Sequence, residues 1–202
     1  GACQTGRQVI GGKSPIEPSH RHAVTGQTGI IVAGSAGQKI RSTATLFAEG
    51  SIFAGLEATQ KDDYPITVQT GHSVSEIVVS PERIDYTGID SPDFLGVLSP
   101  EGLARVRTRS EKLAETCVLY AEETLELPET RAQVRRFPFA ALGRRVGRRG
   151  VATAALAALL EDSRLFPSEA FAKAIESFQS AEIAKVNLRA VGAGVELTGQ
   201  RG

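Results

Sequence analysis

The chain has 202 residues, 41% of them hydrophobic and 23% charged, which is the balance of a soluble globular chain long enough to bury a core without disulfides or metal. Lysine plus arginine equals aspartate plus glutamate at 23 each, so the basic excess that usually marks a nucleic-acid binder is missing. Two cysteines, Cys3 and Cys117, make neither a disulfide framework nor an iron–sulfur ligand set, which takes about four thiolates, and the expected setting is the reducing cytoplasm. No apolar run approaches the ~18–20 residues of a membrane span, so no membrane role is expected.

Residues 1–28 are rich in Gly, Pro, Ser and His without a sustained period, and read as an extended arm that grips a neighbour. Residues 29–202 then form the folded domain. Gly29 to Ala33 is a short buried strand running into the turn Gly34-Ser35-Ala36-Gly37. From about Gln38 to Ala54 the apolar spacing of Ile40, Ala44 and Phe47 predicts a helix. Glu57 to Gln60 reads as a short strand and Lys61 to Pro65 as a loop, because proline disfavours helix before it. Two strand-like runs, Ile66–Thr70 and Val74–Val79, are hinged at Gly71-His72, and Arg83–Tyr86 reads as a further short strand. Asp93–Ser99 is a buried strand, followed by a helix that opens on Pro100 and runs to about Thr108. Cys117–Tyr120 reads as a strand, and Leu125 ends another short one. Thr130–Phe139 is basic and ambiguous. Gly150–Leu160 is an Ala/Leu helix. Ser168 is expected to cap a helix that buries Phe171, Ala174, Ile175 and Phe178, and Ser180 to open a last helix to about Val195 with Ile183, Val186, Ala190 and Val191 inward. Alternating strands and helices followed by helices alone predict an α/β fold, a three-layer Rossmann-like domain with a helical C-terminal layer.

The turn Gly34–Gly37 lies where backbone N–H groups and a helix start face a ligand phosphate in α/β folds. It is not a dinucleotide fingerprint, since only Gly34 and Gly37 hold glycine positions, and the spacing before Lys39 is not that of a P-loop. A turn that needs small residues for strand–helix packing reads equally well. The second polar loop, Asp62 to Ser73, supplies Tyr64, Thr70 and His72 as hydrogen-bonding groups. A Ser73–His72–Asp62 triad fails, because adjacent residues of an extended chain point to opposite faces. His72 remains open as a lone general base, with a loop histidine bonded to backbone the commoner arrangement. Cys3, His20 and His22 fall short of the four ligands of a structural zinc site. Seven arginines stand at 131, 135, 136, 144, 145, 148 and 149 with no acid between, which fits an anionic ligand, an acidic partner surface or a solvated face.

GIIVAGSAGQKI, the Tyr64–Ser80 stretch YPITVQTGHSVSEIVVS, DFLGVLS, and the late ALGRRV, VATAALAALL, LFPSEAFAKAIESF and VNLRAVGAGVEL follow one another in an order that resembles the gamma subunits, or gamma domains, of 2-oxoacid:ferredoxin oxidoreductases. The resemblance covers about Gly29 to Leu197. It departs from the family's opening at Ala36 and Lys39, where glycines are usual, and from its Arg-Gly-Gly loop at Thr70-Gly71-His72.

The resemblance implies a non-catalytic chain of a complex that converts a 2-oxoacid of the 2-oxoglutarate or pyruvate type and coenzyme A to acyl-CoA and CO2, with electrons passed to ferredoxin or a similar acceptor. It implies alpha and beta subunits as partners. Thiamine diphosphate, magnesium and the iron–sulfur clusters would belong to those subunits, with no cofactor or metal held by this chain alone. Its own contribution would be one wall of the coenzyme A side, through Gly34, Ser35, Gly37, Gln38, Tyr64, Thr70, Gly71 and His72. A free-standing nucleotide- or dinucleotide-binding α/β protein is the alternative.

Overall fold

The computed structural model describes residues 18–63 and 71–199. Its strands are β1 (Thr28–Ser35), β2 (Glu57–Asp63), β3 (His72–Ser80), β4 (Phe94–Val97), β5 (Val118–Glu122) and β6 (Gln133–Phe137). Its helices are α1 (Ile40–Phe53), α2 (Pro100–Ser110), α3 (Phe139–Val146), α4 (Val151–Ser163), α5 (Ser168–Phe178) and α6 (Ala181–Gly199), with a single 3-10 turn at Arg148–Gly150. The six strands form one sheet in the order β2-β3-β1-β4-β5-β6. β1, β4, β5 and β6 run parallel, β3 runs antiparallel to β1, and β2 antiparallel to β3.

β1 is central and buried on both faces beyond its first residue, which is why its sequence is a continuous run of small and β-branched residues rather than an alternation. Its pleat divides the interior. Ile30 and Val32 join a core shared with α1, α4, α5 and α6, whereas Ile31 and Ala33 join a second core with α2 and the loops carrying Ile84, Ile89, Leu113 and Leu125. The result is the expected three-layer α/β domain with a helical C-terminal layer.

Glycine and alanine set the spacing of that layer. In α4 every residue from Val151 to Leu160 is buried, the pattern of a helix enclosed on all sides. A Cβ on Gly194 of α6 would lie within contact of the Ala154 carbonyl oxygen, and one on Gly50 of α1 would lie 2.8 Å from Phe171 Cα of α5. Both crossings are therefore backbone against backbone.

Most elements fall where the sequence puts them, with instructive departures. Lys61–Asp63 continue β2 rather than opening a loop, because ladder pairing with β3 extends to Asp63 opposite Val74 and outweighs their poor strand propensity. Arg83–Tyr86 form no strand: Ile84 is a single buried anchor in a loop. Leu125 likewise lies in the loop beyond β5. Thr130–Phe139 resolves into β6 and the start of α3. Ser168 is the first residue of α5 and makes no cap; Pro167 holds the cap position in extended backbone. On α6, Ala190 and Val191 are buried as expected, but Ile183 and Val186 face outward. The run Ile66–Thr70 lies outside the described residues. Of the N-terminal arm, residues 18–27 dock on the chain's own domain: Ser19 N–H donates to the Phe53 carbonyl at 2.8 Å, Ala23 N–H to that of Leu165 at 3.0 Å, and Val24 enters the main core.

Cys117 lies at the foot of β5 and is fully buried. Burial, with a smaller contribution from the charge of Asp93, pushes its thiol up to about 12. Its thiolate is the reactive form, so iodoacetamide at pH 8 is expected to leave the Cys117 peptide unmodified in the folded chain and to modify it fully in denaturant, read by mass spectrometry. Stoichiometric labelling of the native chain would refute the inert, packed thiol.

Candidate functional site

The chain leaves β1 for α1 on one face of the sheet and leaves the neighbouring parallel strand β4 for α2 on the other. Between the carboxyl ends of two strands that diverge in this way lies the usual ligand crevice of open α/β sheets. Here two helix N-termini flank it, and that of α1, without a cap or a first-turn acid, keeps the sign of field that attracts anions.

On the β1 side the turn is braced from within. Ser35 N–H donates to Gln38 Oε1 at 2.8 Å, and Gln38 Nε2 reaches the Leu98 carbonyl at 3.5 Å, so the buried Gln38 side chain ties the turn to the end of β4. Gly37 has φ +90°, a conformation that a side chain rarely adopts, and Lys39 joins turn to helix in the left-handed region at φ 60°. α1 has no side-chain cap and no acidic residue in its first turn, which leaves its N-terminal charge uncompensated.

On the β4 side α2 is capped. Ser99 Oγ accepts from Gly102 N–H at 3.2 Å, and Pro100 opens the helix. Gly102 is the point of closest approach between the two sides. A Cβ there would stand 2.5 Å from the Gly34 nitrogen and 2.6 Å from the Ala33 carbonyl carbon. Glu101 titrates below the usual carboxylate range, first through its own backbone N–H, then through the Ser99 hydroxyl, with Arg148 adding charge attraction against the cost of burial.

The second loop arrives beside the turn. Ala36 N–H donates to the Gly71 carbonyl at 2.8 Å, and His72 lies opposite Ser35 in the β1–β3 ladder. Gly34, Ser35, Gly37, Gln38, Gly71 and His72 are thus brought together at one end of the sheet. His72 Nε2 is buried, 3.6 Å from Asp63 Oδ2, without a hydrogen bond among the described residues. Tyr64 and Thr70 lie outside the described residues.

Arg148 is the site feature that the arginine run hides. It follows Gly147, whose φ is +76°, and sends Nη2 to Ser35 Oγ at 3.0 Å and to the Ala36 carbonyl at 2.9 Å. The other arginines scatter. Arg135 pairs with Asp162 at 3.1 Å, Arg136 donates to the carbonyls of Glu123 and Leu125, and Arg145 pairs with Glu196. One run in sequence serves four places because it spans an edge strand, a helix and a turn. Ser99, Glu101 and Gly102 also escape a motif search; only the Ser-Pro helix opening marks them.

Fold and crevice together define a doubly wound α/β domain with two helix N-termini at one end of its sheet. Within that class, the chain belongs to the pyruvate ferredoxin/flavodoxin oxidoreductase family, whose model matches residues 29–197. The same residues carried the resemblance read from the sequence. The 2-oxoglutarate synthase subunit KorC of Methanothermobacter marburgensis is 35% identical over 75 residues, which are 37% of this chain and 40% of that protein. The KorC of Archaeoglobus fulgidus is 27% identical over 117 residues, 55% of this chain and 62% of that one. The chain therefore spans about half the length of these relatives. The keto/oxoacid ferredoxin oxidoreductase gamma subunit of Geobacter sulfurreducens superposes with a TM-score of 0.73 at 25% identity, over 87% of this chain and 98% of that chain. The 2-oxoglutarate:ferredoxin oxidoreductase of Magnetococcus marinus, solved with 2-oxoglutarate, coenzyme A and succinyl-CoA, shares the fold with a TM-score of 0.75 at 20% identity, over 88% of this chain and 32% of that chain.

No helix among the described residues is long and apolar enough to cross a membrane. Among them, too, no group of three or more His, Cys, Asp or Glu side chains offers a metal site.

Proposed function

We propose that this chain is the gamma subunit of a 2-oxoglutarate- or pyruvate-type 2-oxoacid:ferredoxin oxidoreductase, and that its crevice forms one wall of the coenzyme A side of the shared active site. Alpha and beta subunits would bring thiamine diphosphate, magnesium and iron–sulfur clusters, and a ferredoxin-like protein would take the electrons in the cytoplasm. The observation that carries the reading is the meeting of two helix N-termini at the carboxyl ends of β1 and β4, with the Arg148 guanidinium fixed over the turn. The uncapped α1 N-terminus and Arg148 make it a donor-rich corner suited to a phosphate-bearing substrate, with Glu101 of α2 offsetting part of the Arg148 charge. Gly34, Ser35, Gly37, Gly71 and His72 would present backbone and small polar groups to it, Gln38 would hold the turn in shape, and Tyr64 and Thr70 would contribute from the second loop.

The chemistry assigned to these residues is positioning. A coenzyme A held here by its phosphates would present its thiol toward the partner subunits. In the reconstituted complex, Arg148→Ala is expected to raise the KM for coenzyme A by roughly 10- to 100-fold, the range of a lost charge-assisted hydrogen bond, and to leave the KM for the 2-oxoacid unchanged. An unaltered coenzyme A KM would remove this corner from the site. Calorimetry of the lone chain with NAD, ATP and coenzyme A tests the alternative: tight NAD or ATP binding would favour a free-standing nucleotide-binding protein.

A further inference from the structure

A second cleft, of about 510 Å³, opens beside the turn, between the start of α1, the 3-10 turn and the outer face of α6. Neighbouring residues divide between the two sites. Gln38 and Arg148 serve the glycine turn, whereas the next residues, Lys39 and Arg149, line this cleft. Neither Lys39 nor Arg149 has an acidic partner among the described residues, and Glu182 is the one acid of the lining.

The apolar side of the cleft is as distinctive. Ile183 and Val186 are 54% and 52% exposed although they lie one helical turn apart on the same face of α6, and Leu46 of α1 lines the same cleft. Exposed aliphatic residues are ordinary when scattered singly; a pair side by side, rimmed by cations with no acidic partner among the described residues, marks a contact surface. The aliphatic side chains stand on an outer helix face, the position for a docking chain rather than for a molecule sunk into a pocket.

Resting on the reading that the chain is a subunit, we infer that this cleft is the docking surface for a partner-subunit segment that carries aspartate or glutamate within a turn or two of aliphatic side chains. The carboxylates meet Lys39 and Arg149, and the aliphatics cover Ile183 and Val186. Because Lys39 and Arg149 adjoin Gln38 and Arg148 in the chain, the docked segment would stand at the edge of the crevice, where a shared active site needs it.

The test is assembly of the full chain with the other subunits of its complex. The double variants Ile183→Asp/Val186→Asp and Lys39→Glu/Arg149→Glu are expected to weaken assembly at least tenfold each, with unchanged melting temperatures for the isolated chains, and only the wild type should weaken further with added salt. Val134→Asp, on the exposed edge strand, should assemble normally. Normal assembly of both double variants overturns the docking surface alone. Failure of the wild type to assemble overturns the subunit reading with it. A raised coenzyme A KM with normal assembly assigns the cleft to the small molecule and also overturns the docking.

Discussion

Gly102→Ala is expected to lower the melting temperature by roughly 2–12 °C, from an overpacking cost of about 1–3 kcal/mol at roughly 2–4 °C per kcal/mol for a chain of this size. The added methyl would stand 2.5 Å from the Gly34 nitrogen, 2.6 Å from the Ala33 carbonyl carbon and 2.7 Å from its oxygen. All three are backbone atoms of β1, so no side chain can turn aside and α2 must move away from the strand. That movement opens the crevice between the two helix N-termini, so the same substitution should also raise the coenzyme A KM of the complex. Gly192→Ala in α6 is the control, because nothing lies within 4 Å of its added methyl. It should stabilise by about 0.5–1 kcal/mol through helix propensity. Thermal melts of the two variants decide the matter, and an unchanged melting temperature for Gly102→Ala would contradict the close approach.

The contrast between Gly102 and Gly34 shows what was legible in the sequence. Gly34 announced itself, since a buried β-branched run that ends in glycines before an amphipathic stretch is a local pattern. Gly102 carries no such signal: it is one glycine in a helix start, and its reason lies 68 residues away in β1. The crevice was therefore half visible. The turn, the uncapped helix and the neighbouring Gly71-His72 were readable, because each is a short-range pattern or follows from a hairpin-like return of the chain. Arg148 was not, because a run of seven arginines looks like one patch until a strand, a helix and a positive-φ glycine send its members to different places. The misplacement of Ile183 and Val186 has the same origin. Helical periodicity identifies an apolar stripe but not whether a neighbour covers all of it. On α6 four of the five buried positions are small, Ala184, Ala190, Ala193 and Gly194, and with Val191 they form the face that α4 approaches closely, while Ile183 and Val186 stand outside.

Phe47→Ala is expected to cost about 3–5 kcal/mol, the range for deleting a fully buried phenylalanine. Its ring is completely buried on the inward face of α1, 5.0 Å from that of Phe166 and 5.8 Å from that of Phe171, the latter edge-on. Those partners belong to α5 and the loop before it, so the ring joins the helix that carries the glycine turn to the C-terminal layer. The neighbours cannot collapse into the void, because Gly50 already holds the α1 and α5 backbones in contact. The loss should thus sit at the upper end of the range, and Phe47→Leu should recover more than half of it by restoring volume without the ring. Val134→Ala on the edge strand, 42% exposed, should change stability by less than about 0.5 kcal/mol. Denaturant titrations of the three variants measure these differences directly. If Phe47→Ala cost no more than Val134→Ala, the aromatic cluster would not be what holds α1, and with it the glycine turn, against the C-terminal helices.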